Sequence, residues 1–160
     1  RLCDELRQEV DWILIDSPAG IERGFRNAIA PADKILIITN PEMSAVRDAD
    51  RVVGLLEAEE KGAPSLVVNR LNPAMVKRGD MLSVDDVYDL LRIDVIGIVP
   101  EDENVIVASN KGVPLALEAK SRAGQAFRNI SRRLNGEQVP FLELESQGLW
   151  DRLTRLAGRR

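Results

Sequence analysis

Apolar residues recur along this chain with two different periods. Four short runs, Trp12–Ile15, Ile35–Ile38, Leu66–Val68 and Val95–Val99, are rich in Ile, Val and Leu and bounded by turn residues. That is the pattern of strands covered on both faces. Between them the spacing opens to helical periods: Met43 to about Glu60, a short stretch behind Ser83-Val-Asp-Asp86, and Ser121 to Leu134, stopped near Gly136. Ser83 followed by an acid three residues later is a capping box, which satisfies helix N–H groups that have no partner inside the helix. Strand, helix, strand in repetition predicts an α/β fold, a doubly wound and mainly parallel sheet with helices on both faces. Ligands of such sheets bind outside the carboxyl ends of the strands, so chemistry is sought there.

The two ends follow a third pattern. The opening segment LCDELRQEV reads as an amphipathic helix entered in its middle and headed by Arg1, and we expect a preceding part that this sequence does not include. Residues 137–148 contain Pro140 and show no period, which makes them a connector, docked in part through Phe141 and Leu142. In residues 149–160, Leu149, Trp150, Leu153, Leu156 and Ala157 fall within an arc of roughly 120° on a helical wheel. Asp151, Arg152, Arg155 and Arg159 lie outside that arc. We therefore expect three parts: a domain over 1–136, the connector over 137–148, and an amphipathic membrane-targeting helix over 149–160.

Charge sharpens that division. The last twelve residues carry a net +3 while the whole chain carries −4, so the body is strongly acidic and the tail basic. Such a tail seeks anionic lipid, with Arg152 and Arg155 at the headgroups and Leu149, Trp150, Leu153 and Leu156 below them. A helix of about three turns is marginal in water, so one copy is expected to bind weakly and two firmly. The bland alternative is a terminal helix packed on its own domain. The acidic body argues against a nucleic-acid-binding face, leaving Arg128, Arg132 and Arg133 as one local patch or a solvated helix face. There is no histidine and a single cysteine, Cys3. Histidine-based acid–base chemistry, serine triads, an internal disulfide and most zinc sites are therefore excluded within the chain.

The strand ends carry the candidate chemistry. Asp16 closes the first run and is followed by Ser17-Pro18-Ala19-Gly20. A carboxylate at the tip of an apolar strand helps hold Mg²⁺ at nucleotide phosphates in P-loop enzymes, and it also simply opens turns. Gly20 lets the backbone approach a phosphate and rearrange. Asn69, at the end of the third run and ahead of Arg70, has the donor and acceptor that match an adenine edge, but asparagine is equally a turn former. Pro100-Glu101-Asp102 after the fourth run form either a rim over a base or a solvated loop.

Taken in order, Asp16-Ser-Pro-Ala-Gly-Ile-Glu22, Thr39-Asn-Pro-Glu-Met-Ser-Ala-Val-Arg-Asp-Ala-Asp-Arg51, Val68-Asn-Arg70, Gly97-Ile-Val-Pro-Glu-Asp102 and the amphipathic tail resemble the deviant Walker A ATPases of the ParA/MinD family. The likeness runs along essentially the whole chain. It implies a P-loop NTPase-type fold, here incomplete, and an ATP-dependent switch that dimerises with ATP on the membrane to position the division septum. It also implies ATP and Mg²⁺ as cofactors, with Asp16, Ala19 and Gly20 at the metal, water and switch end. Asn69, Arg70, Pro100, Glu101 and Asp102 would lie around the base. Arg47, Asp48 and Asp50 match a surface used for the division proteins MinC and MinE. The location implied is the cytoplasmic face of the bacterial inner membrane, or the plastid stroma. Family members open with a glycine-rich loop, KGGxGKT, and no Gly-Lys pair occurs in these 160 residues. We therefore expect the chain alone neither to hydrolyse ATP nor to be stable as a monomer. Two other readings stand beside this one: a membrane-docking or partner-binding module that does not hydrolyse ATP, and a ParA-type partition ATPase, which salt-sensitive DNA binding would mark.

Overall fold

The computed structural model describes residues 2–17 and 23–144. Ala19 and Gly20 of the expected switch loop, and the whole of the expected membrane helix at 149–160, lie outside the described residues. The elements run α1 (Leu2–Leu6), α2 (Arg23–Ile29), β1 (Leu36–Thr39), α3 (Met43–Ala58), β2 (Ser65–Leu71), α4 (Pro73–Arg78), α5 (Val84–Leu91), β3 (Asp94–Pro100), α6 (Asn104–Asn110), a 3₁₀ turn (Leu115–Leu117) and α7 (Arg122–Leu134). The strands lie in the order β1-β2-β3, all parallel, with Ile37 opposite Leu66 and Ser65 opposite Asp94.

Helices cover both faces, as the repeating pattern predicts. On one face Ile37, Leu66 and Val68 meet Val46, Ala49, Val53 and Leu56 of α3 and Val87 and Leu91 of α5. On the other, Val67 and Val99 meet Ala123, Ala126 and Ile130 of α7. Adjacent residues Leu66, Val67 and Val68 thus point alternately into two cores, which is why the run is continuously apolar. α5 begins at the expected capping box: the Ser83 hydroxyl accepts from the Asp86 N–H at 3.0 Å, and the Asp86 carboxylate accepts from the Ser83 N–H at 2.8 Å. α7 begins at Ser121 and is closed by Gly136 at φ +88°. The connector is docked through the residues expected: Phe141 lies 4.2 Å from the Arg133 guanidinium carbon, and Leu142 packs on the second core.

The first apolar run departs from expectation. Residues 12–17 adopt no strand, and Leu14 is 86% exposed. A strand exists only through a ladder with a neighbour, and among the described residues no ladder joins this run to β1. The run instead rests beside the start of β1, where the Lys34 ammonium sits 5.9 Å from the Trp12 ring. On β1 itself Ile38 is 66% exposed. The short helices α2, α4 and α6 carry too few turns to reveal a period and were not expected.

Candidate functional site

The carboxyl ends of β2 and β3 build one connected rim. The ladder pairs Val68 with Ile98 and next Leu71 with Pro100, so three residues of β2 face two of β3. The surplus sits at Asn69-Arg70, a bulge in which Arg70 takes a left-handed conformation, φ +58°. A non-glycine residue there costs about 1–3 kcal/mol and is held only where neighbours over-determine it. The backbone N–H of Glu101 secures the tip, donating to the Leu71 carbonyl at 2.9 Å.

The side chains complete the rim. Glu101 accepts from the Asn72 amide at 2.9 Å and from the Arg70 guanidinium at 3.3 Å. The bond from Asn72 first, and that from Arg70 second, hold its carboxyl below the usual range. Asn72 also turns its own oxygen to the N–H groups of Ala74 and Met75, capping α4. The sequence pattern marks Asn72 before Pro73 only as a turn former, and the structure makes it the cap of α4. Asn69 is half-buried, and among the described residues its side chain makes no hydrogen bond, so both edges of its amide remain open to a ligand.

Asp102 belongs to the scaffold of this rim. One carboxylate oxygen accepts from the backbone N–H of Asn104 at 2.9 Å and from its amide at 2.7 Å. The other accepts from the buried Ser121 hydroxyl at 2.7 Å and more distantly from the Ala123 N–H at 3.4 Å. Burial alone would raise the Asp102 pKa, but the bonds from Ser121, Asn104 and Ala123 outweigh it and hold the pKa below its ordinary value. One side chain therefore ties the end of β3 to the starts of α6 and α7. Pro100 is buried beneath the rim.

The other expected residues lie elsewhere. Asp16 is exposed on the irregular segment, not at a strand tip. Among the described residues no group of three or more acids, cysteines or histidines is placed to hold a metal ion. Arg47, Asp48 and Asp50 project from the outer face of α3, opposite its buried stripe, and Asp48 pairs with Arg51 at 3.4 Å. Arg128, Arg132 and Arg133 of α7 are engaged one by one and form no open basic patch, Arg132 alone of the three remaining exposed. Arg128 donates to the Ala116 and Glu118 carbonyls, Arg132 pairs with Glu137, and Arg133 donates to the carbonyls of Ile96, Val139 and Pro140. No helix among the described residues is long and apolar enough to cross a membrane.

Known proteins share this arrangement. A family model described as cellulose biosynthesis protein BcsQ matches residues 1–131. The septum site-determining protein MinD of Synechocystis sp. is 57% identical over 143 residues, 89% of this chain and 54% of that protein. MinD of Bacillus subtilis is 52% identical over 147 residues, 91% of this chain and 55% of that protein. Among solved structures, the MinD cell division protein of Aquifex aeolicus superposes with a TM-score of 0.83 at 48% identity, covering 88% of this chain and 60% of that one. The same fold appears in an Aquifex aeolicus MinC:MinD complex, with a TM-score of 0.84 at 48% identity, over 88% of this chain and 59% of that one. The chain spans about half the length of the curated relatives it matches.

Proposed function

This chain belongs to the ParA/MinD family, into which the BcsQ-type family model and the MinD relatives both fall, and from that premise we propose that it serves in placing the division septum. In this reading it supplies the base-binding rim and the membrane tail of an ATP-driven switch that dimerises on the membrane and recruits a division inhibitor. Identity above one half with septum site-determining proteins favours this role over cellulose synthesis or DNA partition.

The observation that carries the reading is the bulge at Asn69-Arg70. It presents an uncommitted amide at the mouth of a parallel sheet, where ligands of this architecture bind. The fit to a nucleotide base is chemical: an amide has one donor and one acceptor edge, and adenine offers the complementary pair. Glu101, clamped by Asn72 and Arg70, keeps the tip of β3 in register with the bulge, and Asp102 fixes the helices behind it. Asp16 would hold Mg²⁺ through water, together with the nucleotide's phosphates, since this ion needs only one or two protein carboxylates. Arg47, Asp48 and Asp50 offer an exposed charged surface on α3 for a MinC- or MinE-like partner. The tail at 149–160 would bring the protein to the cytoplasmic face of a membrane, two copies binding firmly where one binds weakly.

The test compares ATP with GTP binding by the full gene product and its Asn69→Ala variant in calorimetric titrations. Loss of a hydrogen-bonding amide should weaken ATP by roughly 1–2 kcal/mol and leave GTP unchanged. Equal loss for both nucleotides would remove Asn69 from the base. In parallel, Leu153→Asp should abolish sedimentation with anionic vesicles while leaving nucleotide binding intact.

A further inference from the structure

All three methionines of the chain, Met43, Met75 and Met81, line a single groove of about 570 Å³ between the starts of α3, α4 and α5. Pro41, Val76 and Leu82 complete its floor, and Glu42, Asp80 and Asp86 stand at its rim, Asp80 paired with Arg78 at 2.8 Å and Asp86 held in the Ser83 cap, so that among the described residues Glu42 is the acid open to an incoming cation. Met43 is 45% exposed, so the groove is open to solvent. Flexible, polarizable methionines in an acid-rimmed groove suit one class of occupant, a basic amphipathic helix that lays an apolar stripe into the floor.

Such a segment exists in the same chain. Residues 149–160 carry Leu149, Trp150, Leu153 and Leu156 on one helical stripe and four arginines against one aspartate. The last described residue, Leu144, packs against the same apolar core that Val76, Met81 and Leu82 join. From there, the four residues 145–148 reach up to about 14 Å when extended. We propose that the methionine groove holds the chain's own tail when lipid is absent, so that docking in the groove and binding to a membrane compete for one apolar stripe. The docking stands on its own observations, whereas its role as a brake on membrane binding rests on the reading of the tail given above. The brake follows from occupancy: if the tail were docked about nine parts in ten, a tenth would be competent, and abolishing docking would tighten the apparent lipid affinity about tenfold.

The experiment uses Trp150 as the reporter, in the full gene product with Trp12 replaced by Phe. In lipid-free buffer a docked tail gives blue-shifted Trp150 emission shielded from acrylamide. Met43→Lys, at an exposed position on the groove lip, should redden that emission. It should also raise affinity for phosphatidylglycerol-containing vesicles about tenfold. As a second measurement at an exposed position, Met43→Cys with Leu153→Cys in a Cys3→Ser background should form an intramolecular disulfide under mild oxidation. Identical emission and vesicle affinity in Met43→Lys and the parent, with no disulfide, overturns the proposal. Emission that shifts with protein concentration places the tail in a second copy and overturns it as well. A Met43→Lys emission shift without any vesicle binding upholds the docking and removes the membrane reading instead.

Discussion

Replacing Asp102 by Ala should cost about 3 kcal/mol of stability, far more than its position in a loop after a strand suggests. The structure supplies the terms. At α6 the substitution removes the hydrogen bond that Asp102, one residue ahead of the helix cap Glu103, accepts from the Asn104 N–H, worth about 1 kcal/mol. At α7 it strands the buried Ser121 hydroxyl, whose only freedom is to rotate because its oxygen already accepts from the Gly124 N–H at 2.9 Å; a buried donor without a partner costs about 1–3 kcal/mol. In the full gene product the sum corresponds to a melting temperature lower by roughly 6–12 °C. Urea unfolding followed by circular dichroism reads the free energy. The pH dependence distinguishes a charged acceptor from mere packing. Because the carboxyl pKa is lower in the folded state than its unfolded value near 3.9, its contribution is complete above about pH 4. It disappears as pH falls through the folded value. The gap between parent and variant should therefore narrow in acid. A loss below about 1 kcal/mol, or a gap that is the same at pH 3 and pH 7, would refute the assignment of Asp102 as the tie between β3, α6 and α7.

Four further outcomes are expected. Gly124→Ala, which helix propensity alone would favour, should lower stability by about 2 kcal/mol in thermal melts, because the added Cβ would lie 2.4 Å from the Leu115 carbonyl oxygen. At Arg70, Asn should be tolerated since it adopts left-handed backbone, whereas Val should cost about 1–2 kcal/mol more despite the exposed position. In residues 1–160 alone, Ile38→Lys should reduce binding of an apolar dye and concentration-dependent self-association. Residues 1–160 contain no Gly-Lys pair, and a phosphate-release assay on this chain alone should show no Mg²⁺-dependent ATP hydrolysis; measurable turnover would overturn that expectation.

The readable parts of the fold were those in which one face of an element meets one core. Leu66-Val67-Val68 is apolar throughout because two cores claim alternate residues, and Ser83 with Asp86 marks a helix start that needs nothing distant. The rim was legible only in its positions. Asn69, Arg70 and Glu101 stand at strand ends by pattern, but that Arg70 is left-handed follows from how β2 and β3 fall out of step. That mismatch is a property of two strands together, invisible in either alone. Asp102 and Ser121 are nineteen residues apart and meet only because α7 returns across β3.

The run Trp12–Ile15 shows the same limit from the other side. Its composition states that it is to be covered but not by what, and periodicity therefore named a strand where the described residues provide no ladder. Ile38, exposed on β1, makes the complementary statement, an apolar side chain on a sheet with nothing described to pack on it. Both surfaces are uncovered among the described residues, and we expect each to be buried against a neighbour that supplies that cover. Ile38→Lys should accordingly be neutral for the chain alone and damaging wherever that cover is present, and equal tolerance in both settings would show that β1 needs no further neighbour.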